Sequence, residues 1–360
     1  MADTYWLAHG KLAMPSGVIE GALQVAGERI AAIRAKAPRG ARRIDVGGAY
    51  IAPGFIDLHV WGEPAVVSRD GVSQGTTGFL TTLGPAPQVE LLRHIAERAA
   101  AATRGAECLG IHLEGPFVSP QRPGALPRIG MRAPTVSELR RMARAASGRL
   151  RLITMAPELR GAAAAIRWCR RHRIAVSLGH SLADAASSTR AVDAGASLVT
   201  HVFNGMPTLH HRTPSLLDVA LTDDRLTAMA IADGVHVSPH ALRLLIRAKG
   251  SGRVALVTDS IRRQEWDVVT RRGAYYTREG VLAGSRLTMM DAVRNTVELA
   301  GASLVDAVRM AGEVPARVLG LARARGCLAV GRRADLTVFT KEYQVQLTIV
   351  GGRIRYQRAR

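Results

Sequence analysis

Short apolar runs alternate with stretches of helical period through the middle of this chain, and that alternation predicts its fold. The runs fall at residues 50–60, 76–83, 107–113, 150–155, 174–178, 197–203, 227–231 and 254–257. Between them, residues 89–104, 136–146, 162–171, 183–194, 215–221 and 239–248 repeat Ala, Arg and Leu with a helix's spacing. Eight β–α alternations over about 200 residues predict an α/β fold of the (β/α)8, TIM-barrel type. A doubly wound sheet is the structural alternative, but no GxGxxG follows the first run.

The two ends read differently. Residues 5–8, 17–20, 22–25 and 29–33 are short strand-like runs separated by Gly and charged residues, and 335–339, 346–350 and 353–356 repeat the pattern around a Gly351-Gly352 turn. We therefore expect a small β-sandwich domain assembled from residues 1–50 and 330–360, with the barrel spanning 51–329.

Composition narrows the function classes. With 360 residues and 47% hydrophobic content, the chain can bury a full-sized core. The net charge of +20 is carried by Arg, since Lys occurs only at Lys11, Lys36, Lys249 and Lys341. It reads either as a coding bias or as attraction for anionic substrates. Nucleic-acid binding is not expected, because the arginines are spread along helices and aromatics make up only 4%. Cys108, Cys169 and Cys327 stand apart, without a CxxC pair. No apolar run reaches the roughly 18 residues that span a bilayer, so no membrane association is expected and a cytoplasmic location is the default.

The candidate chemistry lies where the runs end. These ends carry Asp57-Leu58-His59, His112-Leu113-Glu114, Gly179-His180-Ser181, Thr200-His201, Asp233-Gly234-Val235-His236 and Thr258-Asp259. Alone, a histidine there is an ordinary loop residue and an aspartate a helix cap. In a barrel, all of these ends converge on one face, where barrel active sites form. Glu114, His180 and His201 make a one-carboxylate, two-imidazole set suited to Zn²⁺ with an open position, and the same set accepts Fe²⁺, Co²⁺ or Mn²⁺. Asp259 is then the candidate general acid/base.

Several of these motifs resemble one family. Pro53-Gly54-Phe55-Ile56-Asp57-Leu58-His59 is similar to the opening motif of the amidohydrolase superfamily. His112-Leu113-Glu114-Gly115-Pro116-Phe117, Leu178-Gly179-His180-Ser181, Thr200-His201-Val202-Phe203-Asn204-Gly205-Met206 and Ile231-Ala232-Asp233-Gly234-Val235-His236 resemble the N-acetylglucosamine-6-phosphate deacetylases. Val257-Thr258-Asp259, Leu282-Ala283-Gly284-Ser285 and Gly331-Arg332-Arg333-Ala334-Asp335-Leu336 follow in the family's order, so the resemblance covers nearly the whole chain.

The resemblance implies one divalent metal per subunit on Glu114, His180 and His201. Asp259 would take a proton from the water at the metal and pass it to the departing amine. Ala125, Asn204, Gly205, His236, Leu282, Ala283 and Gly284 would hold a phosphorylated amino sugar. Arg212 matches an arginine that reaches a neighbouring subunit's site, which implies a homodimer.

Departures from the pattern concentrate near the substrate. The superfamily's HxH becomes His59-Val60-Trp61. His59 is thus an additional site residue, and Trp61 is expected to stand, apolar side inward, where a second metal's ligand would be. Leu126 replaces a histidine expected near the substrate carbonyl, Gly205 replaces Ala, and residues 260–280 lack the usual Asp/Gly-rich hairpin. A divergent amidohydrolase acting on another N-acyl amine and a barrel that only binds ligand are therefore the rival readings.

Overall fold

In the computed structural model, which describes residues 4–261, 267–271 and 273–359, eight parallel strands build one sheet. We number them β1 to β8: Phe55–Trp61, Thr76–Leu83, Glu107–Glu114, Leu150–Met155, Ala175–Leu178, Leu198–Val199, Thr227–Ile231 and Val254–Val257. Each pairs with the next in chain order. Just beyond β8, Ser260–Ile261 pairs in parallel with β1, Ser260 against Val60 and Ile261 against Trp61, and so closes the barrel. Every residue of β1, β2 and β8 is buried, as expected for strands with a packed interior on one face and helices on the other.

The helices begin where the sequence supplies a cap. Thr135, Asp184, Ser238, Thr288 and Ser303 each accept a hydrogen bond from a first-turn backbone N–H of the helix that follows. The helices then lay apolar stripes on the strands; Leu139 and Met142, for example, share one core with Ile111, Leu113 and Leu152.

A second sheet combines the two ends of the chain. Its order is Arg353–Gln357, Val345–Val350, Leu336–Phe339, Tyr50–Pro53, Thr4–Met14, Gly17–Ala26 and Arg29–Arg34, with Arg43–Asp45 also paired to Thr4–Met14. Leu7, Leu23, Val25, Ile51, Val338 and Ile349 meet in a core of their own. The edge strand Arg29–Arg34 returns to the C-terminal segment through Ile30 N–H to Arg332 C=O, so the sheet curls around that core.

Two of the apolar runs differ from the sequence reading, and four helices escaped it. The run 50–60 is two strands. Tyr50–Pro53 belongs to the terminal sheet, and β1 starts at Phe55. The break is Gly54, where a Cβ would lie 2.2 Å from the Thr77 side chain. The run 197–203 keeps only two strand residues, because the chain turns at His201 and Phe203, both at positive φ. The helices Pro64–Gly71, Met289–Glu298, Leu304–Ala311 and Glu313–Val318 follow β1 and β8, where the apolar pattern is too short or too continuous to separate. Within residues 260–280, whose sequence departs from the family's Asp/Gly-rich pattern, Val268–Arg271 pairs with Ala274–Thr277 in a hairpin; residues 262–266 and 272 lie outside the described residues. Among the described residues, no helix is long and apolar enough to cross a membrane.

Candidate active site

Glu114 ends β3, and its buried carboxylate is the hub of the barrel mouth. Its Oε1 lies 3.0 Å from His180 Nε2 and 2.9 Å from His201 Nε2, and its Oε2 lies 3.0 Å from His59 Nε2. His180 follows β5 and His201 follows β6, and their Nε2 atoms are 3.2 Å apart. Asp259 follows β8; its Oδ1 is 3.2 Å from His59 Nε2 and 2.9 Å from the Trp61 indole nitrogen, which donates to it.

Backbone geometry aims these groups. His180, His201 and Asp259 all adopt left-handed conformations, with φ of 47°, 26° and 48°. Such conformations cost about 1–3 kcal/mol each for non-glycine residues and persist where the surroundings over-determine them. At Asp259 the constraints are explicit. Its N–H donates to His59 C=O at 2.7 Å, and its C=O accepts from Ser285 N–H at 2.8 Å. One strand earlier in space, Asp57 accepts from the Thr258 hydroxyl at 2.6 Å and from the His59 and Thr258 N–H groups, binding β1 to β8 beneath the site.

The donor set fits a divalent cation. Glu114, His180 and His201 each offer one ligand atom within 4.8 Å of the others. Donors around a tetrahedral ion with bonds of about 2.0–2.1 Å stand about 3.3 Å apart, close to the 2.9–3.2 Å found. His180 Nδ1 pairs with the Arg122 carbonyl at 2.9 Å, which fixes its proton there and leaves the Nε2 lone pair facing Glu114. A second trio, His59, Glu114 and Asp259, shares the same carboxylate.

Charge and burial set the protonation. Burial pushes the Glu114 carboxyl up, but the charge of His59 and the hydrogen bonds of three imidazoles pull it well below the usual carboxylate range. Burial pulls the His59 imidazole down; the Glu114 and Asp259 carboxylates outweigh it and hold it at about 9. At His180, burial likewise pulls down and Glu114 raises it above the ordinary histidine value. Protons thus compete with a cation for this site up to a higher pH than for free imidazoles. Measured by calorimetry, metal affinity is expected to keep rising from pH 7 to about 9, with protons released on binding; an affinity flat above pH 7 would contradict this electrostatic picture.

A cavity of about 240 Å³ opens over these groups. Glu114, His180, His201 and Asp259 form its polar floor, and Ala125, Asn204, Gly205, His236, Leu282 and Gly284 line it. His236 is oriented by Asp233, whose Oδ2 lies 2.6 Å from its Nδ1. Three of the residues singled out in the sequence do not line this cavity. His59 is fully buried behind Glu114, and Ala283 is buried with its N–H on Tyr275 C=O. Arg212 is exposed on the loop after β6 and is not among the residues that line the cavity. Trp61 differs from expectation: its indole N–H turns inward to Asp259, while the six-membered ring packs at Gly84 and Leu126. Trp61, Leu126 and Val281 also line the cavity. For Val281 the sequence carried no chemical signal, since an apolar residue after a hairpin reads as packing.

The comparisons agree with this geometry. Residues 50–355 match the model of the amidohydrolase family. The chain is 34% identical over 336 residues to the N-acetylglucosamine-6-phosphate deacetylase of Bacillus subtilis (strain 168), covering 86% of this chain and 85% of that one. It is equally 34% identical to the N-acetylgalactosamine-6-phosphate deacetylase of Escherichia coli O157:H7, over 84% of this chain and 87% of that one. The structure superposes on the N-acetyl-D-glucosamine-6-phosphate deacetylase of Mycobacterium smegmatis in complex with N-acetyl-D-glucosamine-6-phosphate. That match has a TM-score of 0.90 and 31% identity, over 99% of this chain and 100% of the other. With the barrel, the terminal sheet and the Glu/His₂/Asp mouth in place, the chain belongs to the amidohydrolase family, among the N-acetylglucosamine-6-phosphate deacetylases.

Proposed function

We propose that this protein hydrolyses the N-acetyl group of N-acetylglucosamine 6-phosphate to give glucosamine 6-phosphate and acetate. The observation that carries the reading is the convergence of Glu114, His180 and His201 at one side of a small cavity with the Asp259 carboxylate on its wall. Glu114, His180 and His201 would hold one divalent ion, Zn²⁺ in our reading. Bound there, the ion would supply Lewis acidity, making water acidic enough to serve as hydroxide near neutral pH and polarising the amide carbonyl.

The chain's own residues supply the rest. Asp259 accepts a proton from the attacking water as oxygen bonds to the acetyl carbon. It then delivers that proton to the amine nitrogen as the C–N bond breaks, so that acetate and the free amine leave. Asp259 Oδ2 has no hydrogen-bond partner among the described residues, and the side chain faces the cavity, so this oxygen is available for that transfer. Asn204, Gly205, His236 and the Leu282–Gly284 backbone bind and orient the sugar. The assay that tests this is release of free amine from N-acetylglucosamine 6-phosphate by metal-loaded protein, run beside the galactosamine epimer, since relatives of both names are equally similar.

We further propose a homodimer in which Arg212 reaches the partner's site and pairs with the substrate phosphate. The support is its exposure on the loop after β6, outside its own cavity, and the suitability of a guanidinium fork for phosphate. Arg212→Ala is expected to weaken binding of a phosphorylated ligand by about 1.5–3 kcal/mol, the worth of a hydrogen bond to a charged group, and to leave an unphosphorylated ligand unaffected. Equal loss for both ligands, or a fully active monomer, would contradict the assignment.

A second reading is favoured by Leu126. It lines the cavity beside Trp61 and shares an apolar cluster with Trp61 and Ile261, where the family resemblance leads one to expect a histidine. An N-acyl group larger or less polar than acetyl would suit that wall, and a panel of N-acyl glucosamine 6-phosphates distinguishes the two readings.

A further inference from the structure

Besides the approach of His59 to Asp259 at 3.2 Å, the end of β1 and the turn after β8 are joined by a second side-chain contact that the proposed chemistry has not used. Trp61 is the last residue of β1, and its backbone pairs with Ile261, two residues past Asp259. Its indole N–H donates to Asp259 Oδ1 at 2.9 Å. The ring itself has little room to move. It is 8% exposed and clusters with Val118, Leu126 and Ile261. A Cβ at position 84 would stand only 3.1 Å from its Cη2 atom, so the absence of a side chain at Gly84 gives the ring its place.

We propose that Trp61 is a positioning residue for Asp259: its rigid, uncharged N–H holds Oδ1 so that Oδ2 is presented to the attacking water. This rests on the reading of Asp259 as the acid/base. Two physical facts support it. Asp259 Oδ1 takes the Trp61 N–H at 2.9 Å and faces His59 Nε2 at 3.2 Å, whereas Oδ2 has no hydrogen-bond partner among the described residues. Its carboxylate also lies within reach of His59 and Glu114, in a trio that could hold a cation. A carboxylate drawn onto a cation is no longer free to shuttle a proton. A donor fixed on Oδ1 opposes that excursion without adding charge. Through this contact Trp61 acts on the chemical step, apart from whatever its ring contributes as part of the cavity lining.

The test compares Trp61→Phe, which keeps an aromatic ring but removes the N–H, with Asp259→Asn and with the double variant. A second form of the experiment places 3-benzothienylalanine at position 61, keeping both rings and replacing N–H by sulfur, should phenylalanine perturb the packing. In either form kcat on N-acetylglucosamine 6-phosphate is expected to fall by about 10- to 100-fold, the worth of a lost hydrogen bond to a charged group. KM is expected to stay within about threefold and the bound metal and melting temperature to be unchanged. In the Asp259→Asn background the same replacement is expected to change kcat by less than about twofold, since residues acting as one unit are non-additive. Unchanged kcat in the benzothienyl form, a loss confined to KM, or fully additive losses would overturn the role of Trp61 while leaving Asp259 in place. Wild-type turnover in Asp259→Asn would instead remove the reading on which the role depends.

Discussion

Asp259→Asn is expected to lower kcat by on the order of 10²–10⁴, the usual worth of a positioned acid/base, while the protein keeps its metal and its fold. Asparagine preserves the size of the side chain and can still accept the Trp61 N–H at the oxygen that takes it now. It cannot carry a proton from water to the amine. The amine is a poor leaving group until protonated, so the loss falls on the chemical step. Metal content separates this from a ligand's role: Asp259 also belongs to the trio with His59 and Glu114, and a variant that lost metal together with activity would mark Asp259 as a ligand first. Steady-state kinetics with metal analysis of the same sample decides between them.

The second large effect is expected at Glu114. Its two oxygens face three imidazoles at 2.9–3.0 Å, so Glu114→Gln removes the one negative charge that those rings share and turns one acceptor into a donor. Loss of outer partners of metal ligands costs about 10–100-fold in affinity, and loss of the shared ligand itself is expected to exceed about 100-fold, abolishing activity at micromolar metal. A further readout needs no metal. His59 is held at about 9 by Glu114 and Asp259 against the pull of burial. Removing Glu114's charge should therefore lower its pKa, as followed by the NMR titration of the metal-free protein. A His59 titration unchanged in Glu114→Gln, or metal bound as tightly as in wild type, would contradict the placement of Glu114 at the hub.

Much of this architecture was legible because the barrel repeats a simple rule. Each buried parallel strand is a short apolar run, and the polar residue at its end stands out. Glu114, His180, His201 and Asp259 stand out in that way, and the fold brings all four to one cavity. The positions that escaped are those where chemistry and packing use the same residue types. Trp61 reads as a bulky apolar residue, and only the fold shows its N–H meeting Asp259, 198 positions along the chain. Gly54 looks like part of one long strand, and only the approach of Thr77 explains why it divides two sheets. Asp57 reads as one more polar strand end, while its work is to tie β1 to Thr258. Arg212 reads from the sequence as an ordinary arginine, and in the fold it is exposed on the loop after β6.

The most direct test of the central claim is the rate of amine release from N-acetylglucosamine 6-phosphate by metal-replete protein, measured beside N-acetylglucosamine lacking the phosphate. The account predicts turnover that is lost on chelation, restored by a divalent ion, and at least about tenfold more efficient with the phosphate than without it, the worth of one charged hydrogen bond. No amine released from any N-acetylhexosamine 6-phosphate by protein shown to carry its metal would contradict it.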